Sequence, residues 1–420
     1  IGVCKLMNLN SNLGEKELTL EDHYCIFVRT IRNESIVTNS SEYNISCFIN
    51  DNSMNPFLIK SYNGPKYFCD RDKEIESLVS AIDNGRDVML FSLRRMGKTG
   101  LMKHIEYQYK DRSELLFVYF DIYYSVKLSD FVNLFGTAVI KKLEKTPARI
   151  FKRITSFVKS VMPSVQVNPV TMETEINFNI QNEEDARVSL EQIFEMIASS
   201  KKRIIVAIDE FQQISVYPEK NVEALLRTYI QRINNLNIIF SGSSKHLLTT
   251  MFASKDRPFY QSAQPLELGA IDHEKYIDFI HHHFTSNGKS IDKGDIASLT
   301  KMLRYDTFYI QYFCNKMYAS GRRKITSEFI VLTLKDILKE HEAYYFRFRD
   351  LLTAHQFSLL KAEAKEDKIA QPTSLPFLKK HSLPAVSTVS SALGVLLTKE
   401  FLYKDRGVYF VYDVFFSLWL

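Results

Sequence analysis

Apolar residues are spaced along this chain in three rhythms. Strongly apolar runs stand at 88–91, 115–122, 204–208 and 237–240, broken only by Asp121 in the second and opened by Asn237 in the last, and each is bounded by polar or glycine-containing stretches. Such runs predict strands buried on both faces. Between them the spacing becomes helical. Ile75, Leu78, Val79 and Ile82 share one face, with Asp70 placed to cap that helix and Asn84-Gly85 to end it. Further helices are predicted near 128–144, 146–160, 186–199 and 222–233, and a short Pro265-Leu-Glu-Leu268 segment closes the region. Strands and helices alternating over 86–268 predict a three-layer α/β fold, a mostly parallel sheet covered on both faces.

The second rhythm is a strict alternation. Met172, Thr174, Ile176, Phe178 and Ile180 alternate with Glu173, Glu175, Asn177 and Asn179, and Val165 and Val167 precede an Asn168-Pro169 turn. An inserted hairpin with one polar face is expected, a surface loop being the plainer alternative. Beyond Ala270 the third rhythm is helical throughout, with helices near 272–286, 293–303, 307–319 and 326–345, an all-helical lid. The last segment has helices at 353–364, 375–380 and 387–400, then two short strands turned at Arg406-Gly407. Three helices and a wing predict a winged-helix domain. Its third helix offers Ser387, Thr388, Ser390, Ser391 and Lys399 but no arginine, which leaves DNA binding and an internal packing or switching role both open. The expected division is thus an extension over 1–53, a core over 54–270, a lid over 271–345 and a winged helix over 346–420.

The chemistry gathers where the first strand ends. After Phe91 the chain runs Ser92-Leu-Arg94-Arg95-Met96-Gly97-Lys98-Thr99-Gly100 and enters an amphipathic helix. Gly97 lets the backbone approach an oxyanion at a helix N-terminus, Lys98 supplies charge for the β- and γ-phosphates, and the Thr99 hydroxyl suits a magnesium ion. Ser92, Arg94, Arg95, Met96, Gly97, Lys98, Thr99 and Gly100 are therefore candidate ATP ligands, a Walker A-like loop. It departs from the usual G-x-x-x-x-G-K-[ST] in having Ser92 at the first glycine, where a side chain is expected to crowd the loop. The strand at 204–208 ends in Asp209-Glu210, a Walker B-like pair. It places Asp209 to hold Mg2+ through water and Glu210 to polarise the attacking water. Ser243 or Ser244, after the strand at 237–240, is placed to sense the γ-phosphate, a Ser/Gly turn being the plainer reading. His281-His-His283 looks metal-like, but adjacent helical residues diverge, so a partly exposed helix face is expected.

Composition adds limits. The 420 residues are 45 % hydrophobic and 25 % charged, enough for two or three cores, and the net charge of +5 permits nucleic-acid contact without demanding it. Five cysteines, with no paired short spacing, favour a reducing compartment and argue against zinc. No apolar run approaches the length of a membrane span and no signal-peptide pattern is seen, so a cytoplasmic protein without membrane contact is expected. Residues 1–53 are rich in Asn and Ser, and Met54 opens a stretch that reads like a native start. The segment 1–53 is expected to be a poorly ordered extension and is a candidate for upstream sequence read through. The chain stops at Trp419-Leu420 in an apolar run, as though more residues followed.

The set Tyr67-Phe-x-Asp-Arg-x-x-Glu74, Arg94-Arg95-x-Gly97-Lys98-Thr99, Ile208-Asp209-Glu210-Phe211 and Arg257-Pro-Phe-Tyr260 resembles the archaeal-type ATPases of the STAND division of AAA+-related P-loop proteins. The likeness is to the group common in anaerobic gut bacteria, and it covers residues 54–420. It implies an ATPase core, a helical lid and a winged helix, with Lys98 on phosphate, Thr99 and Asp209 serving magnesium, Glu210 activating water and Ser243 or Ser244 as sensor. It also implies that the segment from Phe68 to Arg71 lies against the adenine. The family often carries a Gly-Arg pair after the Pro-Leu/Phe-Tyr segment; here Gln261-Ser262 stands there, leaving Arg257 as a fallback cation. The function expected is a slow Mg-dependent ATPase that exchanges ATP and ADP to switch contacts. Its rivals are a DNA-binding regulator with a vestigial nucleotide site and a scaffold that holds ATP without turnover, with a protein partner or self-association open in each case.

Overall fold

The computed structural model describes residues 54–144, 147–155, 162–167 and 174–420. The extension over 1–53, the Asn168-Pro169 turn and Met172 lie outside these residues. The described chain forms two compact units, Lys60–Asp272 and His273–Leu420, the latter joined by residues 54–59.

The first unit is built on α1 (Asp72–Asp83), β1 (Val88–Phe91), α2 (Lys98–Tyr109), β2 (Leu115–Asp121), α3 (Leu128–Leu143) and α4 (Pro147–Ile154). The short strands β3 (Ser164–Val167) and β4 (Thr174–Asn177) follow, then α5 (Glu183–Ala198), β5 (Arg203–Asp209), α6 (Val222–Ile230), β6 (Leu236–Gly242), α7 (Lys245–Ala253) and β7 (Gln264–Glu267). Five strands form one wholly parallel sheet in the order β2-β5-β6-β1-β7. The runs are apolar throughout because alternate residues face opposite layers. Val118, Phe120, Ile204, Val206, Ile208, Ile238 and Phe240 join one core with α3, α5 and α6. Phe117, Ile205, Ala207, Ile239, Val88 and Leu90 join another with α1 and α2. Pro265, which cannot donate to a ladder, is on the edge strand β7.

The alternating segment pairs as an antiparallel hairpin, Val165 opposite Ile176. Ile176 and Phe178 are buried in the α3–α5 core while Asn177 and Asn179 are exposed. Asp70 is not the cap of α1. It and Arg71 are both left-handed, with φ of 55° and 75°, so its carboxylate turns away and accepts from the Asp272 N–H at 3.2 Å. The N-terminus of α3 is held from a distance, since both Glu219 carboxylate oxygens accept from the Leu128 N–H at 3.1 Å.

The second unit comprises α8 (His273–Thr285), α9 (Lys293–Met302), α10 (Thr307–Ala319), α11 (Ser327–Asp350), α12 (Ala354–Glu366), α13 (Leu375–Lys380), α14 (Val386–Thr398), β8 (Leu402–Asp405), β9 (Val408–Val411) and α15 (Val414–Trp419). Residues 54–59 belong with it: the Asn55 and Asn315 amides bond each other's strand of chain at Asn315 O and Phe57 O, and Phe57 packs on Phe284. The histidine triplet divides. His283 is buried against Phe57 and Phe279 while His282 is exposed, the divergence expected of adjacent residues on one helix. β8 and β9 make the wing, with Arg406 and Gly407 at φ of 45° and 85°, the pair of positive angles that a tight hairpin turn needs. The closing apolar run is a helix capped by Asp413, its Phe416 stacked on Trp419. Among the described residues no helix is long and apolar enough to cross a membrane.

Candidate functional site

The parallel sheet sends the ends of β1, β2, β5 and β6 to one edge, and β1 is the strand from which the chain departs to either side. In such sheets that edge is where ligands bind. The loop 92–97 leaves β1 there. Arg95 and Gly97 are left-handed, at φ of 68° and 97°. Gly97 is the N-cap of α2 and no side chain caps the helix, so its first N–H groups and the positive end of its dipole face the loop.

Ser92 is not among the residues with positive φ, so a side chain at this position does not strain the backbone. Its hydroxyl donates to the Leu93 carbonyl at 2.7 Å and accepts from Lys98 Nζ at 3.2 Å. Lys98 is only 6 % exposed. Burial lowers the pKa of its ammonium, with Asp209 and Glu210 opposing and Arg94 adding to the fall.

Asp209 ends β5 beside Asp121 of β2. It is 4 % exposed and accepts four hydrogen bonds. Oδ2 receives the Thr99 hydroxyl at 2.9 Å and the Tyr119 hydroxyl at 3.1 Å. Oδ1 receives the Ser241 hydroxyl at 2.8 Å and the Glu210 N–H at 3.1 Å. Burial raises the pKa of Asp121, and the nearby Asp209 and Glu210 raise it further, although the Tyr123 N–H works against this. Among the described residues no three acids, histidines or cysteines converge as a metal cluster, so the oxygen groups that meet here are the Thr99 hydroxyl and the Asp209 carboxylate.

Glu210 adopts a left-handed φ of 56°. Its Oε2 accepts from the Ser243 hydroxyl at 2.8 Å, the Ser243 N–H at 3.2 Å and Gln212 Nε2 at 2.5 Å. Arg94 Nε reaches the same Ser243 hydroxyl at 3.4 Å, so Ser243 stands between a carboxylate and a guanidinium. Arg95 is exposed and Met96 buried.

On the other side of α2, Phe68 stacks on His104 with centroids 4.2 Å apart. His104 is fixed by Tyr62 on Nδ1 at 2.8 Å and Gln108 on Nε2 at 3.1 Å. Gly100 lies under the Phe68 ring, where a Cβ would meet it at 3.9 Å, an ordinary contact. Arg71 is buried, its guanidinium on the Met96 carbonyl, the Gly269 carbonyl and Glu74. Arg257 forms an ion pair with Glu223 of α6 and is therefore not an unpaired cation in reserve.

The candidate residues thus gather in two clusters, the phosphate loop with Asp209, Glu210 and Ser243, and the aromatic shelf of Phe68. Sequence reasoning missed Tyr119, Ser241, His104 and Tyr62. A signal existed for the first two, being hydroxyls set inside otherwise apolar strands.

A parallel sheet with an uncapped glycine loop, and with a buried acid two strands away, defines a P-loop nucleotide-binding fold, here joined to a winged helix. The chain belongs to the family described as the ATPase domain predominantly from Archaea, whose profile matches residues 68–305, more than half of the chain. Residues 343–420 match a family described as a "probable winged helix domain". Among solved structures it is similar to the Walker-type ATPase PABY2304 of Pyrococcus abyssi, at 16 % identity and a TM-score of 0.59 over 87 % of this chain and 99 % of that one. It is also similar to the Aeropyrum pernix ORC2 protein in its ADPNP–ADP complexes, at 12 % identity and a TM-score of 0.55 over 88 % and 97 % of the two chains. At these identities the likeness is one of fold. No curated protein matches the chain by sequence.

Proposed function

We propose that this protein binds Mg–ATP on the loop 92–100 and hydrolyses it slowly, as a nucleotide-controlled switch. The observation that carries the reading is the 2.9 Å contact between the Thr99 hydroxyl and Asp209 Oδ2, with Lys98 buried beside the uncapped start of α2. The donor set fits magnesium: Thr99 would ligate the ion and Asp209 would hold its water, while the ion supplies charge for the phosphates. Lys98 exchanges Ser92 for phosphate oxygens, the loop N–H groups cradle the β-phosphate, and Glu210 orients the attacking water. Phe68 offers its ring to the base. We connect the slowness with Glu210, whose Oε2 is held by Ser243 and Gln212, so that turning the carboxylate toward an attacking water breaks these contacts. Ser243, between Glu210 and Arg94, is the proposed sensor of the terminal phosphate.

The division into a core, a lid over 271–345 and a winged helix over 346–420 is proposed with it, from the change to helices after β7, with the core beginning at Lys60 instead of residue 54 because residues 54–59 pack with the helical unit. Contact with DNA is a second reading. It draws on the exposed Ser387, Ser390 and Ser391 of α14 and the exposed Lys404 and Arg406 of the wing. Lys399 argues against it, since its ammonium is engaged with the Leu351 carbonyl.

The test is ATP binding and phosphate release by the protein beside K98A and E210Q. Binding lost in the first and turnover lost with binding kept in the second are expected. Undiminished turnover in E210Q would refute the assignment of the base, and salt-dependent DNA affinity without ATP binding would favour the second reading.

A further inference from the structure

We infer that Arg71 is a positioning residue for the phosphate loop, acting on its backbone rather than on the nucleotide base. The inference rests on the proposed nucleotide site. Arg71 is 3 % exposed, so its guanidinium is withdrawn from any ligand that enters from solvent. Its NH2 donates to the Met96 carbonyl at 3.1 Å, inside the loop. Its NH1 donates to the Gly269 carbonyl at 2.8 Å, just past β7, and to Glu74 Oε1 at 3.1 Å.

The consequence comes from peptide geometry. A trans peptide is planar, with C=O and N–H pointing in opposite directions. Fixing the Met96 carbonyl toward Arg71 therefore turns the Gly97 N–H away from it, which in the proposed site leaves that N–H for a phosphate oxygen. A flip of the 96–97 peptide changes ψ of Met96 and φ of Gly97, and a left-handed glycine at 97 opposes that rotation less than any other residue would. A buried guanidinium, with its donors in a rigid fork, is suited to holding that peptide, and a lysine would keep only a single point of charge. Two left-handed residues, Asp70 and Arg71, bring the side chain to this place. Asp70 fastens the same turn to the Asp272 N–H, so the loop, the start of α1 and the segment after β7 are tied at one point.

The phosphate loop and the base are separable with probes. Affinities for Mg–ADP and for Mg–pyrophosphate, which has no base, are measured for the protein and for R71K, with thermal melting as a control on folding. The expected result is that both affinities fall by about tenfold or more and by the same factor. A drop for Mg–ADP alone would put Arg71 on the nucleoside and overturn the inference, as would no change in either. Should R71K not fold, E74Q, which removes the ion pair from NH1, is expected to weaken both ligands about threefold, and unchanged affinities would overturn the inference. Failure of the unaltered protein to bind Mg–ADP would instead refute the proposed nucleotide site itself.

Discussion

Ser92 takes the Lys98 ammonium on its hydroxyl at 3.2 Å, in the place where the usual phosphate loop has its first glycine. Because the Ser92 backbone does not need positive φ, this residue is not a blockage. In the proposed nucleotide site it is a stand-in acceptor that phosphate would displace. S92A should therefore tighten Mg–ATP binding by about twofold to fivefold, the worth of one modest hydrogen bond. Titration calorimetry reads this directly, and a loss of affinity would mean that the hydroxyl helps hold the bound phosphates.

Gln212 holds Glu210 while its own Oε1 is buried without a hydrogen-bond partner. Removing this side chain frees one lone pair of the proposed base and leaves few groups orphaned. Q212A should raise phosphate release at saturating ATP by about threefold to tenfold, with ATP affinity unchanged. A fall in turnover would reassign Gln212 to orienting the water.

Much of this was legible beforehand, and the reason is local. Runs such as 204–208 are buried on both faces, which makes a strand visible as an unbroken apolar string, and Gly97-Lys98-Thr99 and Asp209-Glu210 follow their strands directly. What was not legible was which partner a hydroxyl set in such a strand serves, since that depended on strand order. Tyr119 and Ser241 serve Asp209 because β2 and β6 flank β5, and no periodicity within either strand encodes its neighbour. Asp70 was misread because its composition suits a cap while its backbone is left-handed. Which of the three histidines is buried was not legible, because the face His283 occupies is covered by Phe57, more than two hundred residues away.

Glu363 on α12 is 1 % exposed, and neither carboxyl oxygen has a hydrogen-bond partner among the described residues. Burial pushes its pKa up to about 8 from an ordinary 4.5. The folded state keeps the proton that the unfolded state has already lost, so stability falls as pH rises from about 4.5 to about 8 and is level beyond. E363Q cannot ionise and should melt at a higher temperature than the parent at pH 8.5, with the gap closing toward pH 4.5. Melting curves across that range check it; parallel curves would mean that Glu363 is neutral at both ends.

Gly136 is in the middle of α3, where glycine is a poor helix former. A Cβ there would meet the Phe178 ring at 2.2 Å and Ile193 at 2.9 Å. The glycine is the seat on which the hairpin's apolar face rests. G136A should destabilise the protein by about 1–3 kcal/mol despite its gain in helix propensity, as overpacked cores do. Denaturant titration measures this, and a stabilised variant would show that Phe178 can move aside.

The strand order also bears on how the protein is made. Thr99 and Asp209, which meet at 2.9 Å, are separated by 110 residues. At about 5–20 residues per second of synthesis, roughly 5–20 seconds pass between them. During that interval β1, buried on both faces in the finished sheet, has neither neighbour, since β6 and β7 are made later still. The nascent chain must shelter an apolar strand and an unfinished phosphate loop until translation passes Gly242. A helper protein that binds exposed apolar segments would find a target in this stretch until β6 is made.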